Sequence, residues 1–274
     1  MAGMTDFDSA LAYIPGGSTG IGLAIARRLA GRGADVVIFA RRREPLVAAA
    51  ADIARHRRRD TQRVEWRQLD VADAAQVGAV LGSAVAALGP PTLLINCAGR
   101  AIPNYFERIS VAQLDETLRI NFYGCWHTVS ALLPHMRAHG GHIVNVASLA
   151  GLIGVFGYTD YAASKFAVVG FSEALRSELA PHGISVSVLC PPDTQTPGFE
   201  RENATKPPET QAVSAGGGVL NAEQVADALL AGIARRSFLI IPGRTARLGH
   251  LAKRLFPRLV ERVMDRQVRT VTKA

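Results

Sequence analysis

The sequence predicts an α/β fold in which a doubly wound parallel sheet is covered by helices on both faces. Short apolar segments alternate with longer segments whose apolar residues recur at helical spacing. The short segments hold continuous runs of Val, Ile and Leu, which is the pattern of parallel strands buried on both faces. Because this alternation repeats along most of the chain, a single doubly wound domain is expected.

Six segments are predicted as strands, with a seventh suggested near the end of the domain: 11–14, 35–40, 64–69, 92–98, 141–148, 184–190 and 237–242. The helices predicted between and after them cover residues 22–33, 43–59, 74–89, 111–140, 161–183 and 222–234. Residues 9–245 form the predicted domain. It includes a proline-rich flap over 191–219, which follows the sixth strand and shows neither helical nor strand alternation, and residues 246–274 follow as a basic helical tail.

The composition excludes several classes of protein. The chain has 274 residues, of which 48% are hydrophobic, enough for one large core. Its three cysteines are scattered, so a reducing cytoplasm is expected rather than a disulfide framework. The seven histidines show no metal-site spacing, and no metal is expected. No apolar run approaches the ~20 residues of a membrane span, and the N-terminus lacks the pattern of a signal peptide.

The net charge of +8 is concentrated at one end of the chain. Residues 235–274 hold eleven Lys or Arg and two Asp or Glu, so the rest of the chain is close to neutral. This asymmetry predicts an anionic neighbour for the tail. Nucleic acid is not expected, because no aromatic interleaving or recognition motif accompanies the charge.

A glycine-rich turn joins the first strand to the first helix. Gly16 permits a tight turn, Gly20 lets the backbone approach a pyrophosphate, and Gly22 allows close helix–strand packing. Ser18 and Thr19 add hydroxyl donors, and the helix N-terminus faces the phosphates. The turn therefore predicts a dinucleotide site. The alternative is a glycine turn that only connects two elements.

The end of the second strand indicates which dinucleotide binds. Arg41 stands where an NAD enzyme would place an acid for the ribose 2′-hydroxyl, and a guanidinium grips a 2′-phosphate instead. NADPH is therefore expected, although Arg42 and Arg43 are also explained as a solvated basic corner. Asp70, after the third strand, is placed to bind adenine. Its alternative role, an N-cap of the next helix, suits Asp73 better.

Four polar residues are candidates for the chemistry. Tyr161 and Lys165 lie one helical turn apart, so the ammonium is expected to lower the pKa of the phenol. Ser148 ends a strand, where its hydroxyl can bind a substrate carbonyl. Asn121 lies among apolar helical neighbours, either as a packing residue that distorts the helix or as the holder of a water. A Tyr-x-x-x-Lys pair alone is usually only a surface pair of a helix.

In combination, PGGSTGIG, INCAG, Asn121, Ser148 and YAASK resemble the short-chain dehydrogenase/reductase family over roughly residues 9–245. The resemblance implies a Rossmann fold and a catalytic tetrad of Asn121, Ser148, Tyr161 and Lys165. It also implies that Tyr161 and Lys165 contact the cofactor and that the long helices form a homodimer or homotetramer. Pro15 departs from the family, which usually has Thr there. The further cofactor contacts it implies are Ile21, Val71, Asn96, Ala98, Gly99, Pro191, Thr194 and Thr196, with Asn96 interpreted as bracing the sheet.

The flap makes the expectation narrower. The segment from Pro191 to Phe199, PPDTQTPGF, resembles that of family members that reduce the ketone of 3-dehydrosphinganine. The expected substrate contacts are Ser148, Tyr161 and Phe199, the last against an alkyl chain. An acid from the set Asp193, Glu200 and Glu202 is expected to meet the amine. The alternatives are another lipophilic ketone or alcohol (steroid, retinoid or acyl compound), a generic lid, and a catalytically inactive dinucleotide-binding scaffold.

The tail has an amphipathic pattern. Its apolar face is predicted to hold Leu248, Leu251, Leu255, Leu259 and Val263, and arginines occupy another face. This is the pattern of an interfacial helix on anionic lipid, so the protein is expected in the cytoplasm with a peripheral membrane contact. The equal alternative is that the leucines pack on the body or on a partner subunit. Pro257 is predicted to break the tail into two helices.

Overall fold

The computed structural model describes residues 7–214, 216 and 218–272. Positions 215 and 217 of the predicted flap and 273–274 of the predicted tail lie outside the described residues. In chain order, the strands of the described part are β1 Leu11–Pro15, β2 Asp35–Ala40, β3 Val64–Gln68, β4 Leu93–Asn96, β5 Gly141–Val146, β6 Ile184–Leu189, β7 Asp193–Gln195, β8 Val219–Asn221 and β9 Leu239–Ile240.

Eleven α-helices lie within these same described ranges: α1 Gly20–Ala30, α2 Arg43–Ala54, α3 Ala74–Leu88, α4 Val111–Leu118, α5 Gly124–Met136, α6 Thr159–Leu179, α7 Pro197–Asn203, α8 Pro208–Ser214, α9 Ala222–Ala234, α10 Arg244–Leu255 and α11 Pro257–Thr272. Side-chain caps set several of their starts. Asp73 accepts a hydrogen bond from Gln76 N at the start of α3, as predicted, and Asn221 and Gln224 form a reciprocal capping box on α9.

The main sheet has the strand order β3-β2-β1-β4-β5-β6-β9, and every pairing in it is parallel. Alternate residues of one strand enter different cores. Ala12 and Ile14 of β1 pack in the core that α1, α2 and α9 cover, whereas Tyr13 packs in the core that α3, α5 and α6 cover. Both faces of the sheet are therefore buried, which explains the continuous apolar runs. The predicted doubly wound fold is confirmed.

The strand order reverses direction between β1 and β4. The chain builds outward from β1 to β3 and then returns to place β4 on the other side of β1. In open α/β sheets, ligands bind outside the carboxyl ends of the strands at this kind of switch point. The turns that follow β1, β2 and β4 are therefore brought to one edge of the sheet.

Two predicted features differ in the structure. The helix expected over 111–140 is interrupted by a π-helical turn at Arg119–Tyr123, which separates α4 from α5. The flap was predicted without regular structure, and this was wrong, because it contains α7, α8 and β7, the last paired in parallel with β8. Pro197 and Pro208 each begin a helix, where a missing backbone N–H costs no hydrogen bond.

The tail breaks where it was predicted to break. α10 ends at Leu255 and α11 begins at Pro257, since proline cannot continue the hydrogen-bond ladder of α10. α11 packs against the flap helix α8 and against α10. Within the described ranges, no helix has both the length and the apolar character needed to cross a bilayer. No cluster of His, Cys, Asp or Glu suited to a metal ion is found among those residues either.

Candidate active site

A cleft of about 900 Å³ lies at the carboxyl edge of the sheet. Residues that follow β1, β2, β3, β4, β5 and β6 all line it, and the flap and the tail close its outer end. Nearly all of the sequence-predicted site residues meet in this one cavity. They are Gly16, Ser18, Thr19, Gly20, Ile21, Gly22, Arg41, Asp70, Val71, Ala98, Gly99, Ser148, Tyr161, Lys165, Pro191, Thr194, Thr196 and Phe199.

The glycine turn at the inner end leaves no room for side chains. Gly16 has a φ of 84°, and a Cβ on it would lie 2.4 Å from Ala98 N. A Cβ on Gly22 would lie 2.3 Å from the carbonyl oxygen of Gly16. Pro15 keeps its place in β1, and its carbonyl accepts from Cys97 N over 2.8 Å. The turn is therefore a bare backbone cradle that seats directly against the strand end following β4.

The ends of β2 and β3 form the next part of the wall. Arg41 and Arg42 line the cleft and are largely exposed, whereas the Arg43 guanidinium lies over the Trp66 ring at 5.7 Å. Asp70 lines the same region and accepts a hydrogen bond from Ala72 N over 3.0 Å. Two cations and one carboxylate therefore face this end of the cavity.

The reactive group lies where β5 and α6 meet. Ser148 directly follows the strand, and its Oγ accepts from Ala150 N over 3.1 Å. The Ser148 hydroxyl also acts on the phenol of Tyr161, where it favours the ionised form and so lowers the pKa. The Lys165 ammonium donates to Val146 O over 2.9 Å and lies 5.7 Å from the centre of the Tyr161 ring. Serine, tyrosine and lysine thus form one polar group in the cavity wall.

The flap packs against the glycine turn. A Cβ on Gly20 would lie 3.1 Å from the methyl group of Thr196, whose hydroxyl oxygen caps α7 by accepting from Phe199 N. Thr194 is buried and donates to Pro192 O over 2.8 Å. The Pro191 carbonyl accepts from Leu149 N over 3.0 Å, which ties the flap to the segment after Ser148.

The model of the family described as short chain dehydrogenase matches residues 10–207. The chain belongs to the short-chain dehydrogenase family. A zebrafish (Danio rerio) protein named 3-dehydrosphinganine reductase is 41% identical over 215 residues, which cover 78% of this chain and 65% of that protein. This chain thus spans less than two thirds of that relative's length.

A second relative and a solved structure are also similar to this chain. A putative ketoacyl reductase of monensin polyketide synthase from Streptomyces virginiae is 37% identical over 201 residues, covering 72% of this chain and 76% of that protein. A crystal structure of a short-chain dehydrogenase/reductase from Burkholderia phymatum in complex with NAD superposes with a TM-score of 0.79 at 28% identity. It covers 92% of this chain and 96% of its own.

In this short-chain dehydrogenase, the phenol of Tyr161 is not acidified as the sequence predicted. Burial raises the pKa of Tyr161 above its ordinary value, and the negative charge of Glu202 raises it further, while the hydrogen bond of Ser148 opposes both. Burial also lowers the pKa of Lys165. Desolvation of the phenol is the largest cause of this rise in pKa, since burial disfavours the charged form. Tyr161 is therefore held in its protonated form.

Asn121 lies in the π-helical turn and is fully buried. Its Oδ1 accepts from Arg100 N over 2.8 Å, and its Nδ2 donates to Arg100 O and Ser164 Oγ, each over 2.9 Å. It does not line the cleft. These bonds fit a packing residue at a helix distortion, and they hold the segment after β4 that contains Gly99 and Arg100. The predicted catalytic role of Asn121 stays a prediction.

Asn96 also lies behind the cavity wall. Its Nδ2 donates to Asn145 Oδ1 over 2.8 Å, and its Oδ1 accepts from Thr128 Oγ1 over 2.7 Å. Its side chain does not line the cleft, and the cofactor contact predicted for it stays a prediction. The hydrogen bonds instead join β4, β5 and α5, because a buried amide needs partners on each side. The bracing role interpreted from the sequence fits this geometry.

A charged cluster beside Tyr161 was missed by sequence analysis as a unit. The Tyr158 hydroxyl donates to Glu202 Oε1, and the Tyr158 ring lies 5.4 Å from the Tyr161 ring. Lys206 is buried and lies 3.2 Å from Glu202 Oε1 and 3.3 Å from Asp193 Oδ2. The i, i+4 spacing of Glu202 and Lys206 was the only local signal for it.

Only two of the three acids that were expected to meet an amine lie in the cleft. Asp193 and Glu202 line the cleft, whereas Glu200 is exposed and does not. Phe199 lines the cleft as well, and its ring centre lies 4.7 Å from the Lys206 ammonium. Tail residues from α10 and α11 complete the outer wall, and Val263 of the predicted apolar face is one of them. The tail therefore packs partly on the body, which the sequence offered as the second of two interpretations.

Proposed function

We propose that the protein reduces the ketone of 3-dehydrosphinganine to the alcohol of sphinganine with NADPH. The observation that carries the proposal is a single cleft that joins the bare glycine turn, the Ser148–Tyr161–Lys165 group and an apolar outer chamber. The name and identity of the zebrafish relative support the substrate. The sequence boundaries of the domain, 9–245, and of the tail, 246–274, are part of the same proposal.

The inner end of the cleft fits NADPH. The cradle at Gly16 and Gly22 is open only because no Cβ stands there, as close approach of a pyrophosphate requires. Arg41, with Arg42 beside it, offers cations for a 2′-phosphate, and no carboxylate ends β2. The other residues that would hold the cofactor are Ser18, Thr19, Gly20, Ile21, Asp70, Val71, Ala98, Gly99, Tyr161, Lys165, Pro191, Thr194 and Thr196.

The chain's own groups supply the proton and the alignment. Bound NADPH supplies the hydride. The Ser148 hydroxyl donates a hydrogen bond to the ketone oxygen and holds it near the phenol. Tyr161, which burial keeps protonated, donates its proton to the oxygen as negative charge develops there. The Lys165 ammonium stabilises the phenolate that remains.

The outer chamber fits a long alkyl chain and an amine. Phe199, Val213 and Met264 line it with apolar surface. Glu202 and Asp193 face the same region with two negative charges against the one positive charge of Lys206, so a cationic amine gains a partner there. Replacing Phe199 by Ala is expected to weaken the preference for long-chain ketones. An unchanged chain-length profile would remove Phe199 from the substrate site.

One competing function is favoured by a specific observation. The Streptomyces relative, named as a putative ketoacyl reductase, supports reduction of an acyl ketone by the same residues. NADPH oxidation should therefore be measured with 3-dehydrosphinganine, a ketosteroid and a short β-keto ester. We expect the sphingoid ketone to give the highest kcat/KM. Preference for the ester would establish the acyl alternative.

A control variant separates catalysis from binding. Tyr161→Phe is expected to lower kcat by about 10²–10⁴-fold, the usual contribution of a positioned acid. NADPH binding should weaken far less, because the other cofactor residues remain. If the wild-type protein binds NADPH but oxidises it with none of the tested ketones, it is a catalytically inactive dinucleotide-binding scaffold and the proposed reaction is wrong.

We also propose that the protein is a homodimer or homotetramer. Tyr123, Trp126 and Phe166 are each about half exposed on or beside α5 and α6, and large apolar groups left on one surface favour a protein partner. Light scattering tests this directly. Trp126→Glu is expected to dissociate the oligomer, and a monomeric wild-type protein would exclude it.

We propose, on two grounds, that the protein is located in the cytoplasm with a peripheral membrane contact. The three thiols of Cys97, Cys125 and Cys190 are unpaired, which fits the reducing cytoplasm. The basic tail supports a peripheral contact with an anionic membrane surface. Cell fractionation with a high-salt wash is expected to release the protein from the membrane fraction, and a protein that stays in that fraction would contradict a peripheral contact.

A further inference from the structure

The last helix, α11, uses one face as a wall of the cleft. Val260, Met264 and Gln267 line the cavity and are half-buried. Val268 and Val271, on the same helical face, are half-buried too. The end of the helix is held by the flap, since α11 packs on α8 and the Thr272 hydroxyl donates to Glu209 Oε1 over 3.4 Å. The tail is therefore built into the outer chamber.

A second apolar strip of the tail faces outward. Its side chains are between 49% and 66% exposed, so about half or more of each is left uncovered by the rest of this chain. The outer strip consists of Leu248, Leu251, Leu255, Phe256, Leu259 and Val263. Large apolar side chains gathered in one strip mark a surface that is covered in use.

The outer strip and the cleft are continuous at one residue. Val263 is 50% exposed and also lines the cleft. It stands between Val260, which faces the cavity, and Leu259, which faces outward, on the surface of the same helix. Val263 therefore offers apolar contact to an alkyl chain both at the outer surface and at the cavity.

The charges beside the outer strip decide what covers it. Arg258, Arg262 and Arg266 follow one another at i+4 spacing on the face of α11 next to Leu259. One of the two acids in residues 235–274, Glu261, binds Lys253 over 2.6 Å. A second copy of the chain would bring two strongly basic tails together, which their charges oppose. An anionic lipid surface attracts the same arginines.

We propose that the outer strip lies in an anionic bilayer and that the long-chain ketone enters the cleft from the bilayer past Val263, without crossing water. The identity of the ketone rests on the proposed function, whereas the membrane contact does not. Transfer along this path avoids exposing the methylene groups of the substrate to water, which is the main barrier to moving a lipid between a bilayer and a protein cavity.

The test makes two residues of the outer strip polar and leaves the residues that line the cleft unchanged. Leu255→Ser combined with Leu259→Ser changes two exposed residues that do not line the cavity. The matched control is Val47→Ser combined with Val111→Ser, two exposed residues far from the tail in sequence. Each protein is given 3-dehydrosphinganine in vesicles of phosphatidylglycerol and phosphatidylcholine, and a water-soluble short-chain 2-amino-3-ketone without vesicles.

We expect the tail variant to lose about tenfold or more in vesicle binding and in reduction of the bilayer-borne ketone, with the short-chain ketone unaffected. The control should match the wild type in all three measurements. Equal reduction of the bilayer-borne ketone by the tail variant and the wild type would overturn the proposal. The proposal would also fail if the wild type bound vesicles of phosphatidylcholine alone as well as it binds the anionic vesicles. It would fail too if the tail variant differed from the wild type only in forming a smaller oligomer.

A second measurement does not need activity. Leu259→Cys places an exposed thiol on the outer strip, whereas the native thiols are buried or half-buried with pKa values raised by burial, and so react slowly. An environment-sensitive dye on this thiol should shift to shorter wavelength with anionic vesicles and be quenched by brominated lipid. No shift would overturn the membrane contact. A shift without reduction of any ketone by the wild type would contradict the proposed function alone.

Discussion

Replacing Glu202 by Gln is expected to change the substrate preference of the protein while leaving its fold intact. Three carboxylates line the described cleft, and Asp70 lies at its inner end, so Glu202 and Asp193 are the ones near the reactive tyrosine. The Tyr158 ring, which lies 5.4 Å from the Tyr161 ring, carries a hydroxyl that donates to Glu202. In the proposed substrate, the amine-bearing carbon is bonded to the ketone carbon. The amine must therefore bind close to the Tyr161 hydroxyl.

The size of the effect follows from the loss of one charged hydrogen bond. Such a bond contributes about 1.5–3 kcal/mol, so kcat/KM for the amino ketone should fall by about 10- to 150-fold. The fold should survive, because the amide oxygen of Gln still accepts from Tyr158 and Lys206 keeps Asp193 at 3.3 Å.

The assay compares 3-dehydrosphinganine with its N-acetyl derivative, which has the same ketone and chain but no charge. Glu202→Gln should lose activity on the amine and change little on the amide. Glu200→Gln is the matched control, because Glu200 lies on the same helix but is exposed outside the cleft. An equal loss on both substrates, or no loss on the amine, would refute the reasoning.

The pH profile gives a second reading of the same variant. Burial and then the charge of Glu202 raise the pKa of Tyr161. Removing that charge lowers this pKa, so Tyr161 deprotonates at lower pH and reduction declines earlier on the alkaline side. The control variant should keep the wild-type profile, and an unmoved alkaline limb in Glu202→Gln would mean that the two groups do not interact.

Three further predictions concern the cofactor, the glycine turn and the core. Arg41→Ser should weaken NADPH binding by about 10- to 150-fold with NADH little changed, measured by titration; equal losses for both would exclude a 2′-phosphate contact. Gly22→Ala should lower the melting temperature and abolish NADPH binding, because its Cβ would lie 2.3 Å from a backbone carbonyl. The control Gly82→Ala, which has open space around it in α3, should stabilise the folded protein by about 0.5–1 kcal/mol. Burial lowers the pKa of His142 from 6.5 to about 4, so stability should fall by up to about 3 kcal/mol as the pH drops from 6.5 to 4, since the unfolded state takes up the proton first. His142→Asn should flatten this slope in denaturant titrations and His135→Gln, at an exposed position, should not; an unchanged slope in His142→Asn would contradict the cause.

Local patterns were sufficient to predict the strands and the inner end of the cleft. Gly16 and Gly22 are recognisable because the turn they form lies within a few residues of sequence. Tyr161 and Lys165 share one helical turn, but they were recognised only together with Ser148 and the resemblance to a family. Asn121 was recognised as unusual, but its role depended on partners about twenty and forty residues away, Arg100 and Ser164. The same distance in sequence hid the contact of Tyr158 with Glu202.

The sequence by itself determined the doubly wound sheet, the glycine cradle and the break at Pro257, because each depends on periodicity or on spacing within a few residues. The serine–tyrosine–lysine group was predicted from the resemblance to a family. Only the tertiary structure decided that the flap is helical, that Glu202 and not Glu200 faces the reactive tyrosine, and that α11 is a wall of the cleft. These features depend on which surfaces meet when distant segments pack. Desolvation in that packed state, which no local pattern contains, also decided the protonation of Tyr161.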